Sequence, residues 1–203
     1  MIQGLKLLIV PLLFLFAGCS TTAPAISEYR INANLKAKEF SQTGCKDNSL
    51  KIAQAFSSSD LMIQSMSYGE GDFKQFQFSE SQWADSPNRA ITSEILSYIK
   101  KTKLFKNVQT SKSRSKNRFL LEINIEDFMQ YFSEDTKNSY VKVVIALTLI
   151  DTKTNDVLST ETFTKRVEVE NINAEGGVKS LNKALNDVIA ESGEWLGRVC
   201  SDR

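Results

Sequence analysis

Apolar residues recur at every second position along two long stretches in the second half of the chain. The first stretch is residues 119–132 and the second is residues 140–151. The apolar positions are Phe119, Leu121, Ile123 and Ile125 in the first stretch, and Val141, Val143, Ile145, Leu147 and Leu149 in the second. A period of two over this length predicts strands with one face on a core. Residues 152–156 form a turn before a third run, residues 157–169, so we expect an antiparallel meander.

Two other stretches have the spacing of amphipathic helices. Ser86 supplies an N-cap and Pro87 a favoured first residue for a helix that ends near Lys103. The apolar stripe of this helix is Ile91, Ile95, Tyr98 and Ile99. A second helix opens at Gly176 and Gly177 and runs for about six turns. Its apolar stripe is Val178, Leu181, Leu185, Val188, Ile189, Trp195, Leu196 and Val199.

Shorter patterns complete the predicted architecture. Residues 50–56 and 105–109 are brief strand candidates, and residues 61–68 and 73–78 flank a glycine turn, which predicts a hairpin. Residues 21–46 are polar and lack a steady period, which is typical of a tether. The predicted fold class is α/β, a single domain in which a mostly antiparallel mixed β-sheet has two main helices packed on it.

The N-terminus has the order of an export signal. Lys6 precedes an apolar run, residues 7–16, and the small residues Ala17 and Gly18 then lead to Cys19. Ten apolar residues span only about 15 Å as a helix, roughly half of the hydrocarbon thickness of a bilayer. This run is therefore too short for a membrane-spanning anchor.

The residues before Cys19 also resemble the lipobox of bacterial lipoproteins, with Phe16 where leucine is usual. The resemblance implies cleavage before Cys19 and a diacylglycerol and a fatty acyl chain on that residue, with no other cofactor. The chain then divides into a signal peptide, a lipidated tether and a periplasmic domain, at residues 1–18, 19–46 and 47–203. Ser20 occupies the position where aspartate favours the inner membrane, so the periplasmic face of the outer membrane is expected. An ordinary signal peptide followed by an incidental cysteine is the alternative.

Charge and residue types narrow the chemistry that the chain can perform. Without Lys6 the mature chain has 24 basic and 24 acidic side chains, which does not call for a polyanionic partner, and nucleic acid is not expected. The sequence has no histidine, which excludes Ser-His-Asp and Cys-His triads and histidine-bearing zinc sites. The paired glycines lack a phosphate-loop lysine. We therefore expect a protein that is not an enzyme and holds no metal.

Besides Cys19 the chain contains two cysteines, Cys45 and Cys200. An even pair in an oxidising compartment predicts a disulfide. Such a bond would close a loop of about 155 residues, worth roughly 5 kcal/mol in the chain-entropy model. Two unpaired thiols are the alternative.

A basic block lies between Glu94 and Glu122, with no acidic residue inside it. Its members are Lys100, Lys101, Lys103, Lys106, Lys112, Arg114, Lys116 and Arg118. These charges could attract phospholipid headgroups or an acidic patch on a partner. The alternative is a solvated helix end followed by an exposed loop.

The predicted hairpin is the second candidate for binding, because it is more apolar than a solvent-facing hairpin needs to be. Its apolar residues are Met62, Met66, Tyr68, Phe73, Phe76 and Phe78. Flexible methionines and aromatic rings suit a surface that grips a partner or a lipid chain. The alternative is that these side chains belong to the core.

Five motifs carry a resemblance to a known family: residues 83–87 running into a helix, residues 104–108, the strand ending at Asp127 and Phe128, residues 147–151, and the closing helix 181–196. They resemble the ABC-type transport auxiliary lipoproteins, a family that includes the PqiC (YmbA) group. The resemblance implies an adaptor or docking subunit that works beside an MCE-domain substrate-binding protein and an ABC permease and ATPase. Such systems move phospholipid or other hydrophobic molecules between the two membranes, and the adaptor itself hydrolyses nothing. Cys45 and Cys200 are not part of the matching pattern.

Two other functions use the same tether and a similar domain. One is regulation of an envelope enzyme such as a cell-wall synthase. The other is direct lipid carriage, which requires an internal apolar cavity. The sequence alone leaves open the cargo, the direction of transport and the oligomeric state, a homo-oligomer included.

Overall fold

The longest strand, β7 (Phe119–Phe132), organises the sheet, because it has pairing partners along both of its edges. The computed structural model describes residues 24–40 and 43–201. One edge of β7 pairs along its whole length with β8 (Ser139–Asp151), which pairs in turn with β9 (Asp156–Glu168). Both pairings are antiparallel, so the predicted meander is confirmed.

Three short strands share the other edge of β7 in succession, and all three run parallel to it. β2 (Ser49–Ile52) pairs with the first residues of β7, β3 (Phe56–Ser57) with its middle and β4 (Ser65–Glu70) with its last residues. A short 3₁₀ helix, Ser59–Met62, separates β3 from β4. Each of the three strands pairs with only part of β7, and together they cover its start, middle and end on this side.

Three further strands complete a nine-stranded mixed sheet in the described part of the chain. β6 (Asn107–Thr110) pairs parallel to β2, and β5 (Lys74–Trp83) pairs antiparallel to β4. β4 and β5 are the predicted hairpin, with Gly71 at a φ of 59° in its turn. β1 (Ser27–Tyr29) adds to β5 in the parallel direction. The predicted fold class is therefore confirmed, and the long pairings of the sheet are the antiparallel ones.

Two helices, α1 (Pro87–Thr102) and α2 (Ala174–Ser201), pack on the same face of the sheet. α1 begins after Ser86 as predicted, and it ends at Lys103, whose left-handed backbone (φ 58°) terminates the helix. The apolar stripes of both helices and the inward side chains of β7 and β8 form one buried core.

The sequence predicts that the second helix opens at Gly176 and Gly177, whereas both glycines lie inside the first turn of α2, which begins at Ala174. A Cβ at Gly176 would lie 1.9 Å from the carbonyl oxygen of Asn171. A Cβ at Gly177 would lie 1.9 Å from Oε1 of Gln130. The two glycines are required because the helix approaches the chain so closely here.

The predicted tether, residues 21–46, is largely part of the folded domain. Beyond β1, residues 30–40 run as an extended segment, hereafter the strap, along both helices. The backbone N–H of Asn32 donates to Asn182 on α2, that of Ala33 to Glu94 on α1, and that of Phe40 to the Thr102 carbonyl. The prediction was wrong because the strap is amphipathic: Ile31, Ala33, Leu35 and Ala37 face the domain while the residues between them are exposed.

Cys45 and Cys200 are bonded, as predicted, and both are completely buried. The bond joins the chain after the strap to the last turn of α2, and the Gly44 N–H donates to the Cys200 carbonyl beside it. Cys19 and the predicted signal peptide lie outside the described residues. None of the helices in the described part is long and apolar enough to cross a bilayer.

Candidate functional site

The β4–β5 hairpin extends beyond the first turn of α2, and its aromatic side chains are therefore only partly covered. Tyr68 is the centre of this cluster, which we term the aromatic end. The Tyr68 ring centroid lies 5.5 Å from that of Phe76, 4.6 Å from that of Phe78 and 5.2 Å from that of Phe132. The rings of Tyr68, Phe78 and Phe132, together with Ile172, which precedes α2, line an open groove of about 570 Å³.

Phe73 sits in the hairpin turn and is 98% exposed. Phe76 is 43% exposed, so both phenylalanines predicted for a binding surface are accessible. Burying a phenylalanine side chain stabilises by about 1.5–3 kcal/mol, so covering the exposed Phe73 ring would be favourable. Phe73 is therefore the most conspicuous apolar residue at this end.

The two predicted methionines do not join this surface. Met66 is 3% exposed and packs in the core, because it faces inward from β4. Met62 is 44% exposed but lies in the 3₁₀ helix, where it lines a depression with Ile63 and Arg89. The sequence could not separate Met62 from Met66, since the apolar run 61–68 contains both a helical turn and a strand.

Charged residues surround the hairpin turn. Nζ of Lys74 lies 2.9 Å from Glu70, and this hydrogen bond raises the pKa of Lys74. The neighbouring β7–β8 turn, residues 133–138, lies close by, because the Gly71 N–H donates to the Phe132 carbonyl. Together the two turns contain four carboxylates and two ammonium groups, a net charge of −2: Glu70, Asp72, Glu134, Asp135, Lys74 and Lys137.

The basic block lies at the opposite end of β7. Lys103 pairs with Glu39 of the strap at 2.6 Å, and Arg118 pairs with Asp151. The remaining members are exposed, and in the described part of the chain none has a carboxylate within ion-pair distance. They are Lys100, Lys101, Lys106, Lys112, Arg114 and Lys116, and we term this group the basic edge. Lys100 and Lys101 lie in the last turn of α1, and Lys106 lies just before the edge strand β6. The other three lie in the β6–β7 loop.

The face of the sheet that carries no helix holds a polar cluster that the sequence analysis missed. The rings of Tyr131 and Tyr140 stack at 5.2 Å, and the guanidinium carbon of Arg166 lies 3.6 Å from the centroid of Tyr140. The Tyr131 hydroxyl donates to Oδ2 of Asp127 at 2.8 Å, and Nζ of Lys142 lies 3.2 Å from the same oxygen. The outward positions of β7, β8 and β9 could have indicated it, since they place these residues on one face.

Burial is the main cause of the pKa shifts of Asp127 and Tyr131 in this cluster. It raises the pKa of Asp127, although the hydrogen bonds from Tyr131 and Lys142 oppose that change. Burial and the neighbouring Asp127 carboxylate both raise the pKa of Tyr131. In the described residues no three potential ligands from histidine, cysteine, aspartate and glutamate come together to hold a metal.

Comparisons with known proteins give the fold. No family model and no curated protein matches the chain. A crystal structure of a Xanthomonas campestris protein of the family DUF330 has a TM-score of 0.74 at 11% identity, over 85% of this chain and 96% of that one. A crystal structure of an uncharacterised protein has a TM-score of 0.64 at 12% identity, over 85% and 99%. At these identities the likeness establishes a shared fold and nothing about activity.

Proposed function

We propose that the chain is a lipid-anchored envelope protein that serves as a non-catalytic adaptor of an MCE-type ABC transport system. Cys19 carries the lipid, which holds the domain at the periplasmic face of the outer membrane. The partners are an MCE-domain substrate-binding protein and an ABC permease and ATPase. The cargo class is phospholipid or another hydrophobic molecule.

The observation that carries this proposal is the separation of two unlike ends. β1 begins only eight positions after Cys19 and pairs with the hairpin strand β5, so a lipid on Cys19 would tether the domain on the side of the aromatic end. The basic edge lies at the start of β7, and a strand of this length spans about 40 Å. A domain tied to a membrane at one end, with cations at the other that pair with no carboxylate in the described part of the chain, is suited to bridge that membrane and an acidic partner.

The residues of the family resemblance also meet in the fold. Trp83, which opens the first motif, packs on Phe128, with ring centroids 5.7 Å apart. Ser86 and Pro87 then start α1. These contacts support the resemblance because they bring separate motifs together around one junction of the hairpin and β7.

Co-purification tests the adaptor role. Wild-type protein is cross-linked in intact envelopes and purified, and the MCE-domain protein is quantified by mass spectrometry. The variant Lys112→Glu with Arg114→Glu should reduce recovery about tenfold or more, since reversing charges at a complementary surface slows association. The variant Lys36→Glu with Lys183→Glu makes the same change of net charge on the strap and α2 and should recover the wild-type amount. Equal recovery from both variants, or recovery of a cell-wall synthase in place of the MCE-domain protein, contradicts the proposal.

The anchor has its own test. Cys19→Ser should give an unlipidated product that does not sediment with membranes, whereas the wild type gains the mass of its acyl groups. A wild-type chain with no added lipid mass rules out the anchor and the proposed location.

A further inference from the structure

The hairpin turn projects from the domain on the side from which the chain enters β1. This follows from the direction of β1, which runs parallel to β5, with Ser27 beside Ser81 and Tyr29 beside Trp83. The chain therefore enters β1 from the side of the hairpin turn. β5 extends from Ser81 back to Lys74, a distance of about 24 Å for a strand.

Ser27 lies eight positions after Cys19, and a connection of this length can reach at most about 28 Å. The hairpin turn projects almost as far beyond Ser27 as this connection allows. A lipid on Cys19 therefore cannot hold the domain far from the bilayer with the hairpin pointing towards it. In that orientation the turn touches the membrane surface.

The exposed apolar side chains of this end agree with such a contact. Phe73 projects from the turn with almost its whole surface exposed. Ile26, just before β1, and Ile172, just before α2, are also exposed. An aromatic side chain such as that of Phe73 is stabilised at the boundary between headgroups and acyl chains.

We infer that the hairpin turn, with Phe73 at its tip, inserts into the phospholipid bilayer that carries the Cys19 lipid and orients the basic edge away from that bilayer. This inference rests on the proposed lipid anchor. The net charge of −2 around the tip adds a condition: the surface inserts into zwitterionic phospholipid and is repelled by anionic phospholipid. The basic edge has the opposite preference.

Site-specific tryptophan fluorescence tests the inference with the full lipidated protein in vesicles. Trp83 and Trp195 are buried, at 4% and 3% exposure, and they give the same background in every variant. Phe73→Trp places an indole at the tip. Val157→Trp is the matched control, because Val157 is also exposed (60%) but lies at the other end, beside the pairing of Phe119 with Asp151.

In phosphatidylcholine vesicles with brominated acyl chains, Phe73→Trp should show a blue shift and a loss of emission, and Val157→Trp should show neither. Adding phosphatidylglycerol should weaken the quenching of Phe73→Trp. Lipidated protein in which both positions stay unquenched overturns the inference and leaves the anchor intact. Quenching of Val157→Trp that increases with phosphatidylglycerol overturns it as well, because the basic edge then faces the bilayer.

Two further outcomes identify other causes. A blue shift of Phe73→Trp that needs no vesicles and disappears on dilution shows that a second copy covers the tip, which overturns the inference. The mass of each sample reports lipidation directly. An unlipidated wild-type product contradicts both the proposed function and this inference. Lipidated protein with no quenching contradicts the inference alone, so the two failures can be told apart.

Discussion

The ring of Phe40 lies directly on Gly197 of α2. A Cβ at position 197 would come within 2.5 Å of Cε1 of Phe40, so the strap reaches the helix backbone only because this residue is glycine. The Phe40 N–H also donates to the carbonyl of Thr102 at the end of α1. Phe40 therefore fixes the end of the strap to both helices at once.

Gly197→Ala should destabilise the wild-type chain by about 1–3 kcal/mol, because the added methyl group overpacks this contact. In a Phe40→Ala background the same substitution should be neutral or stabilising, since alanine is favoured over glycine in a helix by up to about 1 kcal/mol. Chemical denaturation of the four proteins in this double-mutant cycle measures the coupling. Equal effects in both backgrounds would show that the ring does not rest on the glycine.

The strap has a regular but weak pattern in the sequence. Residues 31–38 alternate apolar and polar side chains as regularly as the long strands do, but alanine occupies two of the apolar positions and the signal is weak. The strap also has no strand partner, so neither of the usual patterns describes it. A period of two, followed as far as residue 37, would have shortened the predicted tether.

The meander, the hairpin and both helices could be predicted because each depends on local periodicity and turn residues. The sharing of one edge of β7 by β2, β3 and β4 could not, since it depends on pairing between distant segments. The residues of the candidate surfaces could likewise be predicted only where a local pattern was sufficient. Phe73 and the basic edge are exposed as the sequence suggested, whereas Met66 could be assigned to the core only from the orientation of β4.

Removal of the disulfide by Cys45→Ala with Cys200→Ala should lower the free energy of unfolding by several kcal/mol. The bond closes a loop with a sequence separation of 155, for which the unfolded-chain entropy accounts for about 5 kcal/mol at most. Guanidinium denaturation of the variant and of the reduced wild type should give the same loss. An unchanged denaturation midpoint in both would mean that the loop is already constrained in the unfolded chain.

Gly177→Ala should cost more than about 2 kcal/mol, because the methyl group would meet Oε1 of a buried glutamine, Gln130. Nε2 of Gln130 donates to Oγ of Ser139 at 2.9 Å, so the side chain is held in place. Adding Gln130→Ser should recover much of the loss by making room. Gly176→Ala is the matched control, since its obstacle is the Asn171 backbone carbonyl and Gln130→Ser should not rescue it. Denaturation midpoints distinguish the two, and rescue of both variants contradicts the assigned contacts.

Asp127 should make the free energy of unfolding fall as pH rises. Burial raises its pKa, and its Oδ1 has no hydrogen-bond partner among the residues that the structure describes, so the folded state disfavours the ionised carboxylate. The unfolded chain has the ordinary aspartate pKa of about 3.9. Between that value and the raised one the folded protein binds more protons than the unfolded chain, so this group's contribution to stability is full at low pH and is lost as pH rises through the folded pKa.

Asp127→Asn isolates this contribution, since the amide oxygen still accepts from the Tyr131 hydroxyl but the side chain cannot ionise. The free energy of unfolding of the wild type minus that of Asp127→Asn should decrease from about pH 3 upwards and become constant above the raised pKa. Asp135→Asn is the control of opposite sign. Hydrogen bonds from the Ser133 hydroxyl and the Lys137 N–H lower the pKa of Asp135, so its difference should increase with pH. A difference for Asp127 that also increases with pH would mean that the ion pair with Lys142, and not burial, governs this carboxylate.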